Sequence, residues 1–317
     1  MQIVQFEGTE LRVSRLCLGV MTFGGQVDEG NSVRITNRAL DLGINFFDAA
    51  NVYAKGQSEI LLGKALGARR KDVVVASKAR GVLGDPPQGG LSRQAIFKAV
   101  EEGLRRLNTD FLDIYYMHWP DDAVPIGESL EAMDRLVRDG KVRYLGSSNY
   151  SGWQVTEQHW LCDKNGWQPP RITQPMYNLL ARGIEQEYLP MAKHFGVSTV
   201  VYNPLAGGLL TGKQSREAPA EGTRFHNNQL YLDRYWHPAY FEAVEELKRA
   251  GRGLISLALN WLLHHTQADC AILGASRLEQ LEANVAAAEE GPLSPEELAV
   301  CDAVWAKLRG VTPKYNR

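Results

Sequence analysis

Long apolar runs are missing from this 317-residue sequence. Its most apolar stretch, residues 254–263, is interrupted by Ser256 and Asn260 and falls well short of the ~20 residues that cross a bilayer. An excess of one charge is missing too: 35 Lys and Arg against 37 Asp and Glu give a formal net charge of −2. That balance supplies no general attraction to nucleic acid or acidic lipid, so neither is expected as a partner, although a near-neutral total leaves room for a local patch. Cysteine is scarce. Cys17, Cys162, Cys270 and Cys301 stand apart, without the paired spacing of zinc ligands or redox dithiols, and read as reduced, buried thiols. The opening residues, MQIVQFEGTELRVSRL, lack the basic-then-apolar layout of a secretory leader, and a cytoplasmic location is expected. Fixed-period repeats, low-complexity tracts and a dividing Pro/Ser linker are likewise absent.

What remains is an ordinary globular composition, 44% apolar and 23% charged, which excludes intrinsic disorder, coiled coil and collagen. A prior of about 150 residues per domain suggests two domains, but single α/β barrels with insertions also reach this length. Short β-rich runs alternate with longer amphipathic stretches along the whole chain. Eight candidate strands cover residues 16–20, 45–49, 73–77, 112–118, 143–147, 172–175, 199–202 and 270–273. Several are nearly continuous apolar runs (VVVAS, IYYM, TVVY), as parallel strands buried on both faces require. Helical spacing fills the gaps. Residues 32–42 start at an N-cap serine and end at Gly43; residues 92–107 place Ile96, Val100, Leu104 and Leu107 on one face; residues 127–138 end before Gly140. Eight strands alternating with helices predict a single (β/α)8 TIM barrel over 1–317, with an open doubly wound sheet as the rival.

In such a barrel the active site lies at the C-terminal ends of the strands. Strand two ends in Asp48, with Tyr53 five residues on; strand three ends in Lys78 and strand four in His118. An acid, a phenol, an amine and an imidazole should therefore face one small volume. The ammonium favours phenolate and lowers the tyrosine pKa, the carboxylate holds the ammonium charged, and the imidazole donates to a substrate oxygen. The set suits protonation of an alkoxide as it forms on a carbonyl carbon. One His with one Asp is too few ligands for a metal, and none is expected. No Ser or Cys stands in a nucleophile-elbow context.

A carbonyl protonated this way needs an electron donor. No GxGxxG follows any candidate strand, so a Rossmann-type nicotinamide site is absent. Strand five instead ends GSSN (Ser148, Asn149), strand six carries Gln174 and strand seven ends in Tyr202. These offer hydrogen-bonding groups for a carboxamide and a ring for stacking. The run NPLAGGLLTGK has close-approach glycines and then Lys213, suited to a pyrophosphate. Strand eight ends LGAS and leads into a helix beginning near Arg277, with Gln280 and Asn284 on its first turns: a phosphate site.

Taken together, RVSRLCLGVMTFGG, GINFFDAANVY, ASK, DFLDIYYMHWPD, GKVRYLGSSNYS, ITQPMYNLLAR, YNPLAGGLLTGK and ILGASRLEQLEANVAA resemble the aldo-keto reductases over nearly the whole chain. The likeness is greater to bacterial members and potassium channel β subunits than to mammalian aldose reductases. It implies NADPH-dependent reduction of aldehydes or ketones, cofactor first, with Tyr53 as general acid, Lys78 and Asp48 behind it and His118 orienting the carbonyl. It implies a nicotinamide held by Ser148, Asn149 and Gln174 and stacked on Tyr202, beside Gly19, Met21 and Thr22. The pyrophosphate would lie along Asn203, Pro204, Leu205, Gly207 and Lys213, with Arg224 in the following loop. The adenosine end would meet Gly274, Ser276, Arg277, Gln280 and Asn284, Arg277 facing a 2′-phosphate. Ala283 stands where many relatives carry Glu, and Ala49 where Thr is common. Phe23, Tyr53, His118, Trp119 and Tyr150, with Met21, are candidate substrate walls and favour apolar or aromatic carbonyls. The segments 81–90, 217–236 and 311–317 are candidate surrounds of the site. A homo-oligomer remains open. The rivals are a nucleotide-sensing protein like the channel β subunits, binding NADP(H) with slow turnover, and a phosphate-sugar isomerase on the same barrel.

Overall fold

A computed structural model describes residues 1–80 and 90–311. Of the segments anticipated around the site, 81–89 and 312–317 lie outside the described residues. The chain opens with two short antiparallel strands, β1 (Ile3–Gln5) and β2 (Arg12–Ser14). Eight parallel strands then close a barrel: β3 (Leu16–Gly19), β4 (Phe46–Asp48), β5 (Val74–Ala79), β6 (Leu112–Met117), β7 (Val142–Ser148), β8 (Ile172–Gln174), β9 (Ser198–Val201) and β10 (Cys270–Gly274). Each pairs with the next, and β10 pairs with both β9 and β3, so no edge remains. This is the expected (β/α)8 architecture.

Helices α1 (Glu29–Asp41), α2 (Gln57–Leu66), α3 (Arg93–Leu107), α4 (Ile126–Arg138), α5 (Gly152–Asn165) and α6 (Tyr188–His194) follow β3 to β8 in turn. After β9 come α7 (Gln229–Tyr235), α8 (Pro238–Leu247) and α9 (Leu254–His265), and after β10 come α10 (Leu278–Ala288) and α11 (Pro295–Arg309). Their buried faces, such as Ile96, Val100, Leu104 and Leu107 of α3, pack outside the barrel in one continuous apolar layer. A second cluster fills its interior, including Phe6, Val13, Phe46, Ile114, Tyr116, Ile172 and Val200. Among the described residues no helix is long and apolar enough to cross a membrane, and the four cysteines are buried and unpaired.

Local chemistry corrects one helix boundary. The first helix is capped by Asp28, not Ser32: Asp28 has extended backbone and its carboxylate accepts from Asn31 N at 2.8 Å. Ser32 lies a turn inside and donates to the Asp28 carbonyl at 2.7 Å. The α3 cap is Ser92, accepting from Ala95 N at 3.3 Å. The β1–β2 hairpin left no sequence signal, because three residues per strand are too few to show alternation.

Candidate active site

Asp48 ends β4, Lys78 is the penultimate residue of β5 and His118 directly follows β6. Tyr53 starts a tight turn after β4, in which Ala54 and Lys55 take φ of +47° and +55°. Left-handed backbone costs a non-glycine residue about 1–2 kcal/mol. Here it returns the chain over the barrel mouth and brings the phenol above Lys78.

The Lys78 ammonium is fully buried and has a partner for each of its three protons. It donates to Asp48 Oδ1 at 2.5 Å, to the Ala49 carbonyl at 2.8 Å and to the Tyr53 hydroxyl at 3.2 Å. Gln174 Nε2 donates to the other Asp48 oxygen at 2.8 Å. A buried charge is tolerable only when paired and hydrogen-bonded in this way. The His118 ring meets the Tyr53 ring edge-on, 6.0 Å between centroids.

Burial opposes the charge on Lys78, but Asp48 and Tyr53 together outweigh it, and the ammonium titrates above its ordinary value. Tyr53 corrects an expectation. Burial raises the phenol by more than Lys78 lowers it, and Asp48 adds to the rise, so its pKa lies above the ordinary value. Lys78 limits that rise instead of producing a net fall. Burial, then Lys78 and Arg80, hold His118 well below the usual imidazole range, so the ring is neutral at pH 7. Its Nδ1 is buried and has no hydrogen-bond partner among the described residues.

These groups form the floor of a cleft of about 2100 Å³. On the β3 side it is lined by Gly19, Met21 and Thr22, and on the β6 side by His118 and Trp119. Ser148, Asn149, Gln174, Tyr202, Asn203, Pro204, Leu205 and Gly207 carry the lining round the barrel. Lys213, Arg224, Gly274, Ser276, Arg277, Gln280 and Asn284 complete it. Every residue singled out in the sequence faces this one space except three. Lys78 sits beneath it, bonded to Asp48 and Tyr53. Phe23 and Tyr150 are corrections to the expected substrate walls. Phe23 is fully buried in the apolar layer behind the β3–α1 loop, and Tyr150 is buried with its hydroxyl turned to Met117 Sδ.

The polar groups beside Tyr202 are tightly linked. Tyr202 donates to Asn149 Oδ1 at 2.7 Å, and Asn149 Nδ2 donates to the His118 carbonyl at 2.8 Å and to Ser148 Oγ at 3.1 Å. Ser148 Oγ in turn donates to the Gln174 carbonyl at 2.8 Å. At the far end Arg277 is the N-cap residue of α10, and Gln280 Oε1 accepts from Ser276 N and Oγ, both at 3.0 Å. Arg224 lies so close to Gly274 that a Cβ there would come within 3.0 Å of its guanidinium.

Among the cleft residues that sequence reasoning missed are Tyr231 and Arg234 of α7 and Asn51, whose buried amide oxygen has no partner among the described residues. The sequence points only to the segment 217–236 as a whole, because an insertion after a strand carries no period of its own. Tyr231 donates to Asn203 Oδ1 at 3.3 Å, and the Arg234 guanidinium lies 5.9 Å from the Tyr202 ring centre. Lys213, Arg224, Arg234 and Arg277 all line the cleft, and none has a carboxylate partner among the described residues. They form a local basic patch on a chain of near-zero net charge.

Comparison with known proteins adds the following. The sequence model of the Aldo/keto reductase family matches residues 15–306. An aflatoxin B1 aldehyde reductase member 2 from Rattus norvegicus is 38% identical, over 95% of this chain and 87% of the relative. The human aldo-keto reductase family 7 member A3 is also 38% identical, over 95% of this chain and 96% of the relative. A probable voltage-gated potassium channel subunit beta from Arabidopsis thaliana is 34% identical, over 92% and 93% of the two chains.

Proposed function

The chain belongs to the aldo/keto reductase family, oxidoreductases that act on carbonyl groups, and from that premise we propose that it reduces aldehydes or ketones using NADPH and a proton from Tyr53. The observation that carries this reading is the buried Lys78 ammonium, bonded at once to Asp48 and to the Tyr53 hydroxyl on the floor of the cleft. Tyr53 holds its proton at neutral pH, because its pKa is raised. It gives that proton up when an alkoxide develops beside it, a much stronger base than water. Lys78 then faces a phenolate 3.2 Å away and stabilises it, and Asp48 keeps Lys78 charged and in place. His118, neutral, donates an N–H to the same carbonyl oxygen. Positioned general acids of this kind contribute about 10²–10⁴-fold.

NADPH, when bound, supplies the hydride. The donor set fits it: Ser148, Asn149 and Gln174 would hold the carboxamide and Tyr202 would back the ring. Both Asn149 amide protons already have partners, so Asn149 would offer the second lone pair of its oxygen, the first being taken by the Tyr202 hydroxyl. The pyrophosphate would lie along Leu205, Gly207 and Lys213, and the 2′-phosphate against Arg277 at the start of α10. Four cations without carboxylate partners among the described residues suit a polyanionic cofactor.

At the rim, Met21 is 41% and Leu230 61% exposed, and with Trp119 they offer apolar surface to the substrate. Apolar or aromatic carbonyls fit that rim, and the rat relative's name as an aldehyde reductase agrees with the aldehyde class. The test is steady-state oxidation of NADPH with a panel of such aldehydes. Turnover that depends on the aldehyde supports the reading. Tight NADPH binding with no turnover across the panel overturns it in favour of a nucleotide sensor.

A further inference from the structure

Arg80 follows Lys78 by two residues and is not part of the cleft lining, entering so far only as a cation near His118. It leaves β5 with φ of +79°, a backbone region that a residue with a Cβ occupies at a cost. Its guanidinium is fastened on three sides. One Nη donates to the Pro120 carbonyl, the other lies 3.6 Å from Asp121 Oδ1, and the plane sits 5.3 Å from the Trp119 ring centre. Trp119 in turn packs against His118, the two rings inclined by 48° with 4.5 Å between their centres. Guanidinium, indole and imidazole thus form one column ending at the Tyr53 edge. Asp121 anchors the column's base by accepting from Leu91 N at 2.8 Å and Ala123 N at 3.3 Å.

The column matters because little else restrains the His118 ring. Its backbone N–H donates to the Ala79 carbonyl and its carbonyl accepts from Asn149, but Nδ1 has no partner among the described residues. A histidine whose second nitrogen is hydrogen-bonded has its ring fixed through that bond. Among the described residues nothing gives His118 that bond, and packing takes its place.

Resting on the reductase reading above, we propose that Arg80 is a positioning residue. Through Trp119 it fixes the His118 imidazole over the carbonyl-binding point and sets the wall against which the substrate lies. A guanidinium suits the task because it is planar and can bond and stack at once, which an ammonium cannot. The ionisable groups facing His118 are Tyr53 from the β4 turn, Lys78 and Arg80 from β5, with Asp48 behind Lys78 and Asp121 behind Arg80.

The test compares Arg80→Met and Arg80→Lys with the unmodified protein. Three quantities are read: carbonyl kcat/KM, the NADPH dissociation constant, and the His118 imidazole titration by NMR. In Arg80→Met, carbonyl kcat/KM should fall by about a hundredfold, the scale that a ~1 Å misplacement of a catalytic group carries. NADPH affinity should stay within about twofold, and the His118 titration should move up toward the ordinary imidazole value as a nearby cation is removed. Arg80→Lys keeps the charge but not the plane. It should leave the His118 titration low yet still lose roughly tenfold in kcat/KM, the part that belongs to the stack. Carbonyl kcat/KM within twofold of normal in both variants overturns the proposal, as does a loss matched by equal losses in NADPH binding and folded fraction. An unmodified protein that turns over no carbonyl counts against the reductase reading alone. The column is then judged by His118: an unchanged titration in Arg80→Met refutes it.

Discussion

The two ends of the barrel are made by the same eight strands and use polar residues in opposite ways. At the N-terminal end β1 and β2 close the mouth, and Phe6, Leu11 and Val13 pack into the interior against the strand starts. Polar groups there are spent on holding chain to chain. Asp113 takes Arg70 at 2.9 Å, Arg143 at 3.0 Å and Val75 N at 2.9 Å. Asp269 accepts from Thr199 N, Asn45 from Ser14 N, and Ser198 Oγ from Glu7 N. At the C-terminal end the mouth is open, cations stand without carboxylate partners among the described residues, and strained backbone collects. Ala54, Lys55, Arg80, Asn149, Asn203, Ala206 and Asn227, seven of the eight non-glycine residues with positive φ among those described, lie in the loops after the strands. The closed end has the arrangement of stability and the open end that of chemistry.

Substitutions that exchange these roles would break the comparison. Tyr53→Phe, at the open end, should cut carbonyl reduction by about 10²–10⁴-fold while leaving NADPH affinity and the unfolding midpoint unchanged. Stopped turnover together with a large stability loss would place Tyr53 among the structural residues instead. Asp113→Ala, at the closed end, strands Arg70 in a buried site and should cost about 3–5 kcal/mol in urea unfolding. Its kcat/KM should stay within twofold, and a selective catalytic defect would erase the division. Arg277→Gln sharpens the picture within the cleft. Losing a charge-assisted contact worth about 1.5–3 kcal/mol should weaken NADPH by roughly 10- to 100-fold. NADH, lacking the 2′-phosphate, should bind as before, and isothermal titration with both nucleotides decides it.

The smallest effect concerns pH. His118 is depressed in the folded state, so below pH ~6.5 the unfolded chain takes up a proton that the folded chain refuses. Stability contributed by this residue is therefore complete above the ordinary imidazole pKa and falls as pH drops below it, by up to about 1.4 kcal/mol per pH unit. His118→Asn should flatten urea-unfolding stability between pH 7 and 5 relative to the parent. Identical slopes would mean that the imidazole titrates normally.

Most of the open end was legible in the sequence because each strand announces its own C-terminus. An apolar run that stops at Asp48, Lys78, His118 or Asn149 places that residue at the mouth once the barrel is assumed, and strand spacing does the rest. Phe23 and Tyr150 were misread for the converse reason. They lie in loops, where no period says which way a side chain points, and both turned inward to satisfy packing. Tyr231 and Arg234 were invisible singly because α7 is a short helix inside an insertion after β9. Arg80 carried no reading from the sequence, because its contacts with Trp119 and Pro120 join segments about forty residues apart.

The order of elements, the closed barrel and the gathering of an acid, a phenol, an amine and an imidazole follow from local pattern, since periodicity and strand ends are properties of neighbouring residues. The balance of charge inside that gathering does not. Whether burial or a nearby ammonium governs the Tyr53 phenol depends on how much water each group loses and how many partners it meets. Those quantities exist only after distant segments have packed, so tertiary structure alone could set them.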